Sequence, residues 1–241
     1  MNKNLVAGIS LLALSLAPAA QAFVFIAGGS YNQGARPVSQ AFRWSNPASV
    51  TFRINPDQNA YSGAISPELT SAEYITAFTT AASYWNNMCG SNISVVVGAT
   101  TTNLFANDGQ NTVLWDNRAT ASGNIVTSAS TLAIANPYTN NSTLLLSDCD
   151  IVVNGAATGN FAINGNSTDY DLIGVLAHEI GHCLGLDHTI ESPTYTSSNA
   201  ILTTATMSSA VTFGDTSFRT LSQDEVDAME CVNSSTKGAR A

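Results

Sequence analysis

Basic residues are scarce in this sequence. Eight lysines and arginines stand against seventeen aspartates and glutamates, which gives the 241-residue chain a formal net charge of −9. A surface with this excess of negative charge repels phosphate groups. Nucleic acids and anionic membranes are therefore not expected as partners.

Long apolar stretches are also scarce, since the one extended run spans residues 5–16. It is shorter than the roughly 20 residues that a transmembrane helix needs. Preceded by Lys3 and followed by Ala20-Gln21-Ala22, it is typical of a secretory signal peptide over residues 1–22. We therefore expect a secreted protein, extracellular or periplasmic, that is monomeric and has no membrane anchor.

Cysteine occurs four times, as Cys89, Cys149, Cys183 and Cys231, and no two of these residues form a Cys-x-x-Cys pair. This spacing argues against a cysteine zinc knuckle and against a thioredoxin-like redox site. An even number of cysteines in an exported chain favours two disulfide bonds, with buried free thiols as the alternative.

Only three histidines occur, and all of them lie in one stretch with the spacing H-E-x-x-H-x-x-G-x-x-H. His178 and His182 are four residues apart, so a helix would place both imidazoles on one face. Gly185 can adopt the left-handed conformation that ends a helix, which allows the chain to turn and bring His188 to the same point. Three protein ligands leave a fourth tetrahedral position for water, the arrangement of a catalytic zinc. A helix with solvated histidines, the alternative, gives no reason for this spacing.

Glu179 follows the first of these histidines, where its carboxylate can reach a water molecule on the metal. Zinc lowers the pKa of such a water and polarises a carbonyl group. Glu179 can then accept the proton and pass it to a departing amine.

The zinc motif resembles that of the metzincin metallopeptidases, in which a methionine-containing turn follows the third ligand. Met207, within Ala205-Thr206-Met207-Ser208-Ser209, matches this Met-turn. Within the metzincins the chain is similar to the matrixins, at Asp171-Leu172 before the motif and at Leu221-Ser222-Gln223-Asp224-Glu225 after it. The similarity extends from Arg43 to about Cys231.

The chain also departs from the matrixin pattern. Matrixins carry Pro and Tyr shortly after the methionine, where this chain has Ser209 and Val211. A fifth, tyrosine ligand of the kind found in astacins and serralysins is not expected, because Ser209 occupies its position. The structural zinc of animal matrixins needs further histidines, which this chain lacks. The resemblance therefore implies a single, catalytic Zn²⁺.

The fold that the resemblance implies is an α+β fold of the metzincin type. It has a twisted mixed β-sheet, two long helices, an active-site cleft and a small C-terminal subdomain. We expect a catalytic domain over residues 43–241, preceded by an extended lead-in over residues 23–42. The lead-in contains no Cys, Asp, Glu or His, so it offers no side chain that could block a zinc ion.

Local patterns agree with this fold class. Val50–Ile54 alternates and is rich in β-branched residues, which predicts a first strand. Ser66-Pro67-Glu68 predicts the start of a long helix, and Thr168-Asp169-Tyr170-Asp171 predicts a capping box before the zinc helix. Four further strands are predicted over residues 93–97, 112–115, 131–135 and 149–153.

A place for substrate also follows from the resemblance. Ala133-Ile134-Ala135 would form the sheet edge above the cleft, where an extended peptide adds as a further strand. Val113-Leu114-Trp115 competes for that role. Val211 and Phe213 would line a pocket for a hydrophobic residue immediately after the cleaved bond.

The resemblance further suggests bound Ca²⁺ and a disulfide pattern. In matrixin-like folds the last helix packs close to the zinc helix, so we expect Cys183 to pair with Cys231 and Cys89 with Cys149. Calcium would bind to aspartates in Asn- and Gly-rich surroundings, although none follows the EF-hand pattern and solvated turns are the alternative. These aspartates are Asp108, Asp116, Asp148, Asp150 and Asp169.

The principal hypothesis is a secreted zinc endopeptidase that hydrolyses peptide bonds with a zinc-bound water activated by Glu179. Its partner would be a peptide or protein substrate. Two alternatives remain open. One is a catalytically silent, exported binding or adhesion protein that keeps a zinc-stabilised metzincin fold. The other is an enzyme that hydrolyses a non-peptide amide.

Overall fold

The computed structural model describes residues 24–26, 41–61, 69–88, 91–118, 124–189 and 205–233, without the side chains of Val24 and residues 231–233. The predicted signal peptide over residues 1–22 lies outside these ranges. No helix within them is long and apolar enough to cross a membrane.

The described ranges contain ten strands and three α-helices. In chain order they are β1 Val24–Phe25, β2 Arg43–Trp44, β3 Val50–Ile54, α1 Ser71–Asn86, β4 Val95–Val97, β5 Asn111–Asp116, β6 Ala133–Asn140, β7 Leu145–Asn154, β8 Phe161–Ala162, β9 Tyr170–Asp171, α2 Leu172–Cys183, β10 Leu186–Asp187 and α3 Gln223–Asn233.

The main sheet is mixed, as predicted. Strands β4, β3, β5 and β7 are parallel neighbours in that order, and β2 joins the start of β7 in parallel. β6 pairs antiparallel with β7 and with no other strand in the described ranges. All six residues of β5 are buried between two neighbouring strands. The segment Val113-Leu114-Trp115 therefore lies inside the sheet, whereas β6 forms one edge and β4 the other within the described ranges.

Helices α1 and α2 pack against one face of the sheet and enclose the core. Tyr74, Phe78 and Trp85 of α1 are fully buried, and each such side chain stabilises the fold by about 1.5–3 kcal/mol. The indole of Trp85 donates a hydrogen bond to the carbonyl oxygen of Ala177 at 2.9 Å, which fixes the two helices in register.

Both helices begin at positions that differ from the predictions. Helix α1 begins at Ser71, where Thr70 and Glu73 form a reciprocal capping box, whereas the predicted start at residues 66–68 lies outside the described ranges. Helix α2 is capped by Asp171, whose Oδ2 accepts a hydrogen bond from the Gly174 N–H at 2.9 Å. The prediction of a capping box from Thr168 is wrong, because the hydroxyl of Thr168 donates to the nearby Asn166 side chain instead.

The predicted disulfide pairing is also wrong. Cys183 is bonded to Cys149, with 5.5 Å between their Cα atoms, which leaves neither residue available to Cys231 or Cys89. Cys183 does point away from the histidine face of α2, but it meets the middle of β7 rather than α3. Both bonded cysteines are fully buried, since α2 lies directly on the sheet there. Cys89 and the side chain of Cys231 lie outside the described part of the chain.

Two of the aspartates considered for calcium, Asp148 and Asp150 of β7, act as hydrogen-bond acceptors. Asp148 accepts from the N–H groups of Asp108 and Gly109, and Asp150 accepts from those of Ala106 and Thr112. Burial raises the pKa of Asp150 to about 6 and also raises that of Asp148. These bonds hold the loop before β5 against β7, and calcium binding stays a prediction.

A Cys149–Cys183 disulfide makes a direct chemical prediction. Non-reducing peptide mapping of the protein should recover one peptide pair joined through these two cysteines. Loop-entropy models assign a cross-link over a separation of 34 residues about 4 kcal/mol of stabilisation. The Cys149→Ser/Cys183→Ser double variant should therefore unfold at a clearly lower denaturant concentration. Recovery of Cys183 linked to Cys231, or as a free thiol, would refute this pairing.

Candidate metal centre and active-site cleft

The three histidines of the motif converge on one point. His178 and His182 are one turn apart on α2, and His188 returns to them after the helix has ended. The Nε2 atom of His188 lies 3.2 Å from that of His178 and 3.3 Å from that of His182. Gly185 permits this return, because it has a φ of +101° and a Cβ there would lie 2.5 Å from the carbonyl oxygen of Phe42.

The segment that carries the third histidine is held by short backbone pairs. β10 pairs antiparallel with β1, and the Ile26 N–H donates to the carbonyl oxygen of Gly185 at 2.9 Å. Phe25 is buried in the core next to this pair. Part of the predicted lead-in thus forms a strand beside the metal-binding segment.

Hydrogen bonds to backbone carbonyls determine which ring nitrogens face the centre. The Nδ1 atom of His178 lies 2.7 Å from the carbonyl oxygen of Thr206, and that of His182 lies 2.8 Å from the carbonyl oxygen of Leu186. A carbonyl oxygen can only accept, so both Nδ1 atoms carry the proton. Both Nε2 atoms therefore present lone pairs to the centre.

This arrangement fits a zinc ion. The Nε2 atoms are 3.2–3.3 Å apart, so their lone pairs repel each other. A cation placed between them removes that repulsion. Tetrahedral zinc with Zn–N bonds of about 2.0–2.1 Å requires nitrogens about 3.3–3.4 Å apart. Among the described side chains, these histidines are the one group of three or more His, Cys, Asp or Glu residues that could hold a metal ion.

The protonation states agree with metal binding. Burial, with a further contribution from the neighbouring histidines, lowers the pKa of His178 well below its usual value. Burial and the adjacent His188 lower the pKa of His182 to about 4. Both imidazoles are therefore neutral at physiological pH, as ligation requires.

Glu179 is a buried carboxyl group beside the histidines and only 6% of its surface is exposed. Burial raises its pKa to about 8, while a hydrogen bond from the Ala135 N–H opposes that rise. A carboxyl group whose pKa lies close to neutrality can both accept and return a proton. The same hydrogen bond joins Glu179 to the edge strand β6.

Met207 lies directly beneath the zinc helix and is buried. A Cβ on Gly181 would lie 2.2 Å from the Met207 sulfur, so only glycine allows this contact. Glu225, a buried residue of α3, accepts the Met207 N–H at 3.0 Å and also the N–H of Ser222. The sequence analysis did not predict this role of Glu225, although its position three residues after Ser222 is that of a capping box.

A cleft runs between β6 and the turn around Met207. It is lined by four of the five predicted substrate-binding residues, Ala133, Ile134, Ala135 and Val211. Phe213 does not line it: this residue is 48% exposed and its ring stacks on that of Tyr170 at 4.4 Å. The sequence analysis did not identify Tyr170, Val175 and Phe218, which also line the cleft. Val175 precedes His178 by three residues on the same helix face, a spacing that could have identified it.

Replacing one of the histidine ligands should remove the metal. We expect purified His182→Ala to contain less than about one tenth of the zinc of the unchanged protein after dialysis, since the loss even of an indirect metal contact costs 10–100-fold in affinity. Zinc content is measured by mass spectrometry of the metal. Thr76→Ala, on the exposed face of α1, is the control and should retain zinc. A fully loaded His182→Ala protein would show that the ligand assignment is wrong.

Comparison with known proteins agrees with this geometry. The family model described as Matrixin matches residues 43–230, a span that contains the main sheet, both long helices and every residue of the histidine centre. No sequence among the curated proteins matches the chain. Since the family model covers most of the chain, this protein belongs to the matrixin family of metallopeptidases.

Proposed function

We propose that this protein is a secreted zinc endopeptidase that hydrolyses peptide bonds in extended substrates. The observation that carries the proposal is the convergence of three imidazole nitrogens beside a buried carboxyl group at an edge of the sheet. Membership of the matrixin family supports it. Secretion rests on the signal-peptide pattern of residues 1–22, with which the buried disulfide is compatible.

In this proposal His178, His182 and His188 hold the zinc ion. When bound, zinc would polarise the scissile carbonyl group and make a water molecule more acidic. Glu179 accepts the proton of the attacking water and then donates it to the nitrogen of the departing amine.

Substrate would bind by adding a strand to β6. In an antiparallel pair, one residue directs its N–H and C=O groups toward the partner strand, and the next residue directs both groups away from it. The Asn154 N–H donates to Leu132, so the even-numbered residues of β6 face β7, and the Ala135 N–H faces the cleft. Ala133 and Ala135 therefore offer main-chain donors and acceptors to a peptide, independently of its side chains.

The pocket beside the histidines favours an apolar side chain. Leu132, Val175, Val211 and Phe218 contribute most of its apolar wall. Leu132 directly precedes β6, which begins at Ala133. We assign this pocket to the residue immediately after the cleaved bond.

The two alternatives explain the site less well. A silent zinc-binding protein has no need of a buried carboxyl group next to the ligands, because burying such a group without a function is unfavourable. A non-peptide amide would not use the free edge of β6. Calcium remains a possible structural ion for loop carboxylates, and its addition should raise thermal stability if it binds.

Glu179→Gln tests the catalytic assignment. The amide cannot accept the proton, so hydrolysis of denatured casein or a fluorogenic peptide should fall by about 10²-fold or more. Zinc content and the thermal unfolding midpoint should remain close to those of the unchanged protein. The activity of the unchanged protein should be abolished by a chelator and restored by zinc. Near-native hydrolysis by Glu179→Gln would rule out this mechanism.

Val211→Arg tests the pocket assignment. A peptide library should show that the unchanged protein prefers hydrophobic residues immediately after the cleaved bond. A guanidinium group in the pocket wall should lower kcat/KM for such substrates by about 10-fold or more, the usual range for disturbing an apolar pocket. Thr212→Arg is the matched control, because it adds the same charge at the exposed neighbouring position. If the unchanged protein mainly cleaves library peptides with a charged residue immediately after the cleaved bond, the assignment is wrong.

A further inference from the structure

Pro137 occupies an unusual place on the β6 edge of the sheet. It lies in β6 opposite Cys149 of β7, two residues after Ala135. Because main-chain direction alternates along a strand, Pro137 directs its nitrogen and carbonyl oxygen away from β7, as Ala135 does. Proline is tolerated in edge strands where its nitrogen faces away from the neighbouring strand, which agrees with this placement.

The missing N–H of proline changes what this edge can offer to a peptide. Ala133 and Ala135 each present one donor and one acceptor to the cleft. Pro137 presents only its carbonyl oxygen, since its nitrogen carries no hydrogen. The row of donors along the edge therefore ends at Ala135.

The position of the apolar pocket gives the direction of a bound substrate. The cleft is lined by residues 130–135, whereas Pro137 lies two residues further along β6 and does not line it. If the pocket takes the residue after the cleaved bond, residues before that bond extend past Pro137. The substrate then runs antiparallel to β6.

The register follows from Glu179. Glu179, which acts on the scissile bond in the proposed function, lines the cleft together with Ala135, so we place the residue just before the cleaved bond opposite Ala135. Successive outward-facing residues of an antiparallel pair are two residues apart. Pro137 therefore lies opposite the third residue before the cleaved bond.

We infer that Pro137 removes one main-chain contact from substrate binding, because it leaves the carbonyl group of this third substrate residue without a main-chain donor. The inference rests on the proposed peptidase function and names one position of its substrate. The N–H of the third substrate residue can still donate to the carbonyl oxygen of Pro137. The carbonyl oxygen of that substrate residue finds no N–H donor on Pro137. The enzyme is thus indifferent to that carbonyl, and the edge is also protected from pairing with a second strand.

Two fluorogenic peptides with one sequence test this inference. The first contains the normal amide between the third and second residues before the cleaved bond, and the second contains an (E)-alkene in its place. The unchanged protein should cleave both with kcat/KM values within about 2-fold. Pro137→Ala restores an N–H, and one net hydrogen bond corresponds to a preference of about 2–12-fold for the amide peptide. Pro47→Ala is the matched control, because Pro47 lies in a short 3₁₀ turn next to β4 at the opposite edge of the sheet.

The outcomes are distinct. A preference for the amide that appears in Pro137→Ala and not in Pro47→Ala supports the inference. Equal changes for both peptides would indicate a structural effect of the substitution and overturn it. A preference of more than about 5-fold in the unchanged protein overturns it without any variant, which covers the case that Pro137→Ala does not fold. Absence of chelator-sensitive cleavage of either peptide by the unchanged protein would overturn the proposed function itself.

Discussion

The hydrogen bonds that Thr206 and Leu186 accept from two histidine rings are the interactions on which the site depends. Each carbonyl oxygen holds one Nδ1–H and thereby turns a lone pair on Nε2 toward the common centre. The resulting cluster of acceptors is electrostatically unfavourable until a cation binds. The fold holds these groups at the spacing that a metal ion requires.

The elements behind the site maintain these two carbonyl groups. Thr206 belongs to the turn that Glu225 of α3 holds through the Met207 N–H. Leu186 belongs to β10, which is paired with β1. The helix between them is attached to the sheet by the disulfide at Cys183. The indole of Trp44 donates to the carbonyl oxygen of the same residue at 2.8 Å. Four distant parts of the chain thus fix one helix.

The edge strand connects this centre to substrate binding. Glu179 and Ala135 line the same cleft, and the main-chain groups of Ala135 face away from β7. In the proposed function, one strand therefore lies beside the general base and also sets the register of the substrate. The alternation of main-chain groups along β6 is the reason that we expect Pro137 to affect recognition without disturbing the sheet.

The sequence by itself determined that His178 and His182 of the motif share one helix face, and it also gave the correct fold class and first strand. The helix repeat places His178 and His182 on one face regardless of what surrounds them, and the alternation of Val50–Ile54 requires a half-buried strand. The tertiary structure alone decided that Cys183 bonds to Cys149, that β6 forms an edge of the sheet and that Glu225 holds the Met-turn. The disulfide partners are separated by 34 residues, and no local pattern shows which strand lies beneath a helix. Such pairings depend on how buried surfaces from distant segments fit together, whereas helix and strand periodicity depends only on neighbouring residues.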